Sequence, residues 1–189
     1  MLRRAFETEE YARQFMAGDI RFGLLQYYRQ MEGRRGDETE GEGYFQWNLN
    51  ATNPDLHNVN YSLSSLEPYY VLCCSHPEVC KCHLTKEFGS FIVCINDPLR
   101  LLDRICTIWN GDDRASFPPF ITPALYNKGE LVEPHFAPPC LVYAQKPPSY
   151  SQDREYRYVL ECKPEAKQKD DFLTLKVGAC TDICSLVVT

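Results

Sequence analysis

The clearest strand pattern in the chain is the stretch EYRYVLEC, residues 155–162, in which apolar and polar positions alternate. Successive side chains of a strand point to opposite faces of a sheet, so Tyr156, Tyr158 and Leu160 share one face, which suits a core. The opposite face carries Glu155 and Arg157. On the strand pattern alone this face is the solvent-exposed side of a sheet. The alternative interpretation is that it lines a site.

Other apolar runs predict further strands and a small number of helices. Asp97 as N-cap and Pro98 in the first helical position predict a helix over NDPLRLLDRIC. Two earlier helices are predicted over TEEYARQFMAG, which ends at Gly18, and over LLQYYRQMEG. Residues 50–66 contain Asn, Pro and Ser with little periodicity, which favours a loop. Residues 110–139 are rich in Pro, Asp and Gly, which favours a long surface excursion. Strands are predicted over YFQWNL, PYYVLCCS, FGSFIVCI, CLVYAQ, DFLTLKVG and ICSLVV.

Early helices followed by late strands predict the α+β class, and 189 residues suit a single domain over residues 1–189. The formal charge of −6 argues against extensive binding of a phosphate backbone. The N-terminus lacks the apolar segment of a signal peptide, and no apolar run reaches the roughly 18 residues that span a bilayer. We therefore expect a cytoplasmic protein without a membrane partner, in which most of the ten cysteines are thiols.

The segment CCSHPEVCKCH contains candidate zinc ligands in Cys74, Cys80, Cys82 and His83. One residue between Cys80 and Cys82 is a poor ligand spacing, and no second pair with a convincing spacing follows. We therefore expect cysteines without a metal, and a zinc-supported interaction module stays an alternative. The chain has neither a glycine-rich phosphate-binding motif nor a G-x-S-x-G nucleophile motif.

The segment YYRQMEGRRGDETEG combines charged and aromatic side chains with glycines, which allow close approach of the backbone to another group. Its composition alone favours a solvated loop. The order of several segments along the chain favours a site: AGDIRFGLLQYYRQMEGRRGDETEG, YYVLCCS, FGSFIVCINDP, QKPPSYSQDREYRYVL and VGACTDI. In this order, and over about half of the chain, the sequence resembles small bacterial proteins related to mono-ADP-ribosyltransferases, some of them anti-phage toxins.

The resemblance implies a split β-sheet core after N-terminal helices, with NAD bound as a substrate in the cleft between the two halves. It implies an early arginine, matched by either Arg21 or Arg29, then Ser75 on a middle strand and Glu155 as the catalytic residue on a late strand. The family's Gln/Glu-x-Glu pair is not matched, because Gln152 lies three residues before Glu155.

Further NAD contacts are expected from the same resemblance. An aromatic ring, Tyr28 or Tyr143, would stack on the nicotinamide. Arg29, Asp37 and Glu40 would form part of the cleft wall. Arg157 would line the cleft beside Glu155.

The function implied is transfer of ADP-ribose from NAD to a protein or nucleic acid, by a toxin or phage-defence effector with a cognate antitoxin or inhibitor. The alternatives are a non-catalytic binding or inhibitor protein on the same fold, and the zinc-supported module.

Overall fold

The computed structural model describes residues 1–30, 42–47, 59–64, 68–126, 143–164 and 170–188. The strands are β1 (Leu2–Phe6), β2 (Asp19–Leu24), β3 (Glu42–Trp47), β4 (Val59–Ser64), β5 (Tyr69–Ser75), β6 (Phe91–Ile95), β7 (Ala115–Pro123), β8 (Glu155–Cys162), β9 (Phe172–Lys176) and β10 (Cys184–Val188). The α-helices are α1 (Glu9–Ala17), α2 (Lys81–Glu87) and α3 (Pro98–Trp109), and 3₁₀ helices cover Leu25–Gln30 and Pro148–Asp153.

Eight strands form one sheet, in which the named strands pair antiparallel, and β3 and β4 form a separate hairpin-like pair. The path through the large sheet is β10-β6-β1-β5-β2-β9, and β8 joins β5 to β7. A mostly antiparallel sheet with few helices confirms the α+β class. No helix in the described part of the chain is long and apolar enough to cross a membrane.

Strand β5 has three neighbours, although a strand has only two edges. Strand β8 pairs with it along its full length, from Tyr69 to Ser75. The other edge is shared: β1 pairs at Ser75, and β2 pairs at Tyr70 and Val71. Strands β1 and β2 therefore diverge along β5, and the sheet opens between them beside Cys73.

The two faces of the sheet bury different clusters. On one face, α1 and α3 contribute Phe15, Leu101, Ile105 and other side chains to the main core, which contains Tyr158. On the face of Glu155 and Arg157, a smaller cluster contains Leu25, Tyr69, Val71 and Val159. The 3₁₀ helix at Leu25–Gln30 and the segment near Tyr143 cover this second face. The alternation predicted for β8 is thus correct, but its polar face is not exposed to solvent.

The local signals of the helices are confirmed. Asp97 Oδ1 accepts a hydrogen bond from the backbone N–H of Arg100 at 3.0 Å, and Pro98 begins α3. Gly18 ends α1 with a left-handed φ of 96°, a conformation that costs glycine little. A glycine is also needed there because a Cβ would lie 2.0 Å from the carbonyl oxygen of Gly178.

Several other sequence predictions are wrong. Residues 50–66 were expected to form a loop but contain β4, and the expected excursion at 110–139 contains β7. A helix was predicted over LLQYYRQMEG, but the described part of this segment forms a 3₁₀ helix. A strand was predicted over CLVYAQ, but the described end of this segment forms only an isolated bridge at Gln145. Strands β1 and β2 and helix α2 were missed, so strands do not follow helices along the chain.

Candidate functional site

The candidate site is a cavity of about 360 Å³ at the gap between β1 and β2. Its wall comes from β1, α1, β2, β5, α2, β8, β9, both 3₁₀ helices and the segment of Lys146. Five cationic side chains and four acidic ones line it, although the whole chain carries a net charge of −6. The charged lining residues are Arg3, Arg4, Arg21, Lys146, Arg157, Glu7, Asp19, Asp153 and Glu155.

Glu155 lies at the start of β8 and is 7% exposed. Its Oε1 accepts a hydrogen bond from Arg157 Nε at 2.5 Å, and its Oε2 lies 3.0 Å from Lys146 Nζ. Its backbone N–H donates to the Tyr126 hydroxyl at 2.6 Å. Both carboxylate oxygens and the backbone of Glu155 are therefore held.

The charge state of this group follows from its surroundings. Burial raises the pKa of Glu155, but the positive charges of Arg157 and Lys146 outweigh burial and hold it well below its usual range. Burial, followed by the charge of Glu155, raises the pKa of the Cys73 thiol, which therefore stays protonated and hydrogen-bonds to the carboxylate. Burial also raises the pKa of Tyr126 to about 12. At neutral pH Glu155 is therefore ionised between two cations, and the Cys73 thiol and the Tyr126 hydroxyl beside it are neutral.

Two chain segments place the partners of Glu155. An isolated parallel bridge joins Leu125 to Gln145. The backbone N–H of Lys146 donates to the carbonyl of Leu125 at 2.9 Å, and Lys146 Nζ lies 4.7 Å from the centre of the Tyr150 ring. Lys146 is 5% exposed. The ammonium group is thus fixed over the carboxylate instead of extending into solvent as most lysines do.

A second buried acid lies two residues before Glu155. Asp153 is 3% exposed, and its Oδ1 lies 2.8 Å from His83 Nε2 of α2. Arg154 between the two acids has a φ of 41°, in the left-handed region that non-glycine residues rarely adopt. This turn allows both Asp153 and Glu155 to line the same cavity.

Five of the nine predicted site residues line the cavity. They are Arg21, Tyr28, Ser75, Glu155 and Arg157. The Arg21 guanidinium lies 3.5 Å from the centre of the Phe172 ring. Tyr28 packs so closely on β2 that a Cβ at Gly23 would lie 2.6 Å from its hydroxyl oxygen. Burial raises the pKa of Tyr28 above its usual value.

The structure describes the side chain of one of the other four predicted residues, Tyr143. Tyr143 packs against Tyr69 and Phe120, with each ring centre 5.1 Å away, and its carbonyl accepts a hydrogen bond from Arg157 Nη1. The backbone of Arg29 lies in the first 3₁₀ helix. The predictions for Asp37 and Glu40 fall outside the described residues. Of the two candidates for the early arginine, Arg21 lines the cavity.

Sequence reasoning missed six charged side chains of the wall, two of which are Glu7 and Asp19. Arg3 and Arg4 lie on β1, where Arg3 Nη1 donates to the carbonyl of Val79 at 3.0 Å and Arg4 Nη1 donates to that of Cys73. Lys146 and Asp153 were also missed. LRRAF is too short to show the alternation of a strand, so no local signal pointed to these two arginines.

The candidate zinc ligands are not gathered into one group. Cys80 and Cys82 form a disulfide, Cys74 is buried in β5, and His83 contacts Asp153. The described residues contain no group of three or more His, Cys, Asp or Glu side chains placed to hold a metal ion.

Comparison of the chain with protein-family models, with curated proteins and with solved structures gave no match.

Proposed function

We propose that the protein is an NAD-dependent ADP-ribosyltransferase that modifies a protein or nucleic acid, as a toxin or phage-defence effector of the cytoplasm. The observation that carries the proposal is the meeting of Arg21, Tyr28, Ser75 and Glu155 in one cavity, from three separate segments of the chain. The cavity volume of about 360 Å³ lies in the range of small-molecule sites. Its place between diverging strands supports the cleft that the resemblance implies.

The chemistry assigns Glu155 the central role. Cleavage of the bond between nicotinamide and ribose develops positive charge on the ribose, as glycoside cleavage does. A carboxylate that hydrogen-bonds the ribose stabilises this transition state more than the ground state. The depressed pKa of Glu155 keeps the carboxylate ionised for this task. A ribose hydroxyl would reach Oε2 by taking the place of Lys146 Nζ, which now lies 3.0 Å away.

The cationic side of the cavity suits the pyrophosphate of NAD. Arg3, Arg4 and Arg21 line the wall near the sheet opening. The Nε atoms of Arg3 and Arg4 are buried and have no hydrogen-bond partner in the described part of the chain. Guanidinium groups bind phosphate oxygens through charge-assisted hydrogen bonds. A phosphate oxygen that accepts from a buried, unpaired N–H also removes the free-energy cost of leaving that donor unsatisfied.

A non-catalytic binding protein is the second candidate, and one observation favours it. Arg157 and Lys146 already occupy both oxygens of Glu155, at 2.5 Å and 3.0 Å, as in a carboxylate whose task is to hold the fold together. The two candidates differ in a simple way: an enzyme consumes NAD, and a binding protein does not.

The experiment incubates the protein with labelled NAD and a cell lysate, and measures release of nicotinamide and labelling of protein and nucleic acid. The test variant is Glu155→Asp, which keeps the negative charge that Arg157 and Lys146 require but shortens the reach of the carboxylate. We expect turnover to fall roughly 10²-fold, the scale of a displacement of about 1 Å in an active site.

The matched control is Glu161→Asp on the same strand, where the carboxylate hydrogen-bonds Ser116 Oγ at 3.1 Å, outside the cavity. Its turnover should equal that of the wild type. If the wild-type protein neither consumes NAD nor gains thermal stability when NAD is added, the enzyme proposal is wrong and the binding protein is favoured.

A further inference from the structure

Cys80 and Cys82 differ from the other described cysteines in bonding and in exposure. Their disulfide links residues two apart in sequence where α2 begins, and both of its cysteines are exposed. The seven described cysteines outside this disulfide are free thiols that are buried or partly buried. Thiol chemistry requires access, so the Cys80–Cys82 pair is the one that a thiol in solution reaches most readily.

This disulfide is poorly suited to a structural role. The entropy that a cross-link removes from the unfolded chain grows with the length of the closed loop, and this loop is very short. Cys80 precedes α2 without a side-chain hydrogen bond to the helix, and Leu84 is the buried residue of that helix. An exposed cross-link that restricts the unfolded chain so little has the features of a labile disulfide instead of a structural one.

Both flanks of the disulfide contact the wall of the cavity. On one side, the carbonyl of Val79 accepts a hydrogen bond from Arg3 Nη1 at 3.0 Å. On the other side, His83 Nε2 lies 2.8 Å from Asp153 Oδ1. Arg3 and Asp153 both line the cavity. A change in the backbone between Cys80 and Cys82 therefore acts directly on residues that hold two parts of the wall.

We propose that Cys80 and Cys82 form a redox-active pair that exchanges with small thiols, and that its state changes the contact between His83 and Asp153. A thiolate attacks one protein sulfur and forms a mixed disulfide, while the other cysteine leaves as a thiolate and takes up a proton. A second small thiol attacks the mixed disulfide, releases the protein thiol and leaves a small-molecule disulfide. The small thiols lose two electrons and two protons in total, and the protein gains them.

The first test uses glutathione as the probe and does not depend on NAD. The folded protein is equilibrated at a series of ratios of reduced to oxidised glutathione, alkylated with iodoacetamide and analysed by peptide mass spectrometry. We expect Cys80 and Cys82 to change together from fully protected to fully alkylated, while buried Cys94 and Cys162 stay unmodified. Alkylation of the pair without any reductant, or its persistence as a disulfide until the protein unfolds, would overturn the proposal.

The second test measures the contact between His83 and Asp153 by the imidazole nitrogen resonances of His83 in both redox states. We expect the Nε2 resonance of the wild type to shift on reduction. The control variant Cys106→Ser should show the same shift, because Cys106 lies on α3, where its sulfur is near the carbonyl of Pro119. The double variant Cys80→Ser/Cys82→Ser should show no shift when reductant is added. A wild-type resonance that is identical in the two states contradicts the coupling, whatever the result with NAD.

Discussion

Replacement of Glu155 by glutamine tests whether the buried charge cluster is as tightly coupled as its geometry indicates. The substitution keeps the size of the side chain but removes the negative charge that faces Arg157 and Lys146, which are 1% and 5% exposed. Both cations then stay buried without the negative charge of Glu155. On the strand pattern alone this variant would be expected to fold normally, so the structure reverses that expectation.

The expected magnitude follows from the burial of the cluster. Removing one partner of a buried ion pair costs about 3–5 kcal/mol, because the remaining charge is left without compensation. For a chain of this size, each kcal/mol corresponds to about 2–4 °C in Tm, so we expect Tm to fall by about 6–20 °C. Urea unfolding followed by circular dichroism measures the free energy of unfolding, and a thermal melt measures Tm.

The control for this measurement is Glu161→Gln. Glu161 is half-buried on the same strand and accepts a solvent-exposed hydrogen bond from Ser116, so its replacement should cost no more than about 1 kcal/mol. Equal stability of wild type and Glu155→Gln would refute the reasoning, since it would mean that the cations gain solvent or another acceptor at no cost. NAD turnover of Glu155→Gln must be measured below the Tm of the variant, so that lost folding is not mistaken for lost catalysis.

Two further predictions concern pH and the end of α1. The folded-state pKa of Glu155 is depressed below its unfolded value of about 4.3, so its stabilising contribution is complete above that pH and is lost as the pH falls towards the folded pKa. Between pH of about 4.5 and 2, urea titrations should therefore show a steeper loss of stability for the wild type than for Glu155→Gln, and parallel curves would contradict the assignment. Gly18→Ala should lower the free energy of unfolding by about 2 kcal/mol or more, because φ is 96° and the new Cβ meets the carbonyl of Gly178. The control Gly111→Ala should be close to neutral, because its Cβ would be 3.7 Å from its nearest neighbour. Thermal melts of the two glycine variants test this, and equal losses would show that backbone conformation is not the cause.

Local signals in the sequence were sufficient to predict the elements that are determined by interactions within a few residues. Asp97 and Pro98 predicted the start of α3, because a capping side chain and a fixed φ act within one turn. Gly18 predicted the end of α1 for the same kind of reason. The alternation of β8 predicted which of its residues share a face, since the period of a strand is a property of the backbone itself.

Other elements were decided by what packs beside them. The five residues of β1 are too few to show a period, and they are a strand because β6 pairs with them along their whole length. Strand β4 lies in a stretch of mixed polarity and is defined by its pairing with β3. Such pairings join residues far apart along the chain, so no window of local sequence contains them.

The candidate site shows the same division. The alternation of β8 is enough to put Glu155 and Arg157 on one face, but an exposed face and a buried site have the same alternating pattern. The packed chain distinguishes the two, because the first 3₁₀ helix and the segment that carries Lys146 cover that face. Burial of a charge depends on which distant segments exclude water from it and which opposite charges they bring, and both are properties of the packed chain.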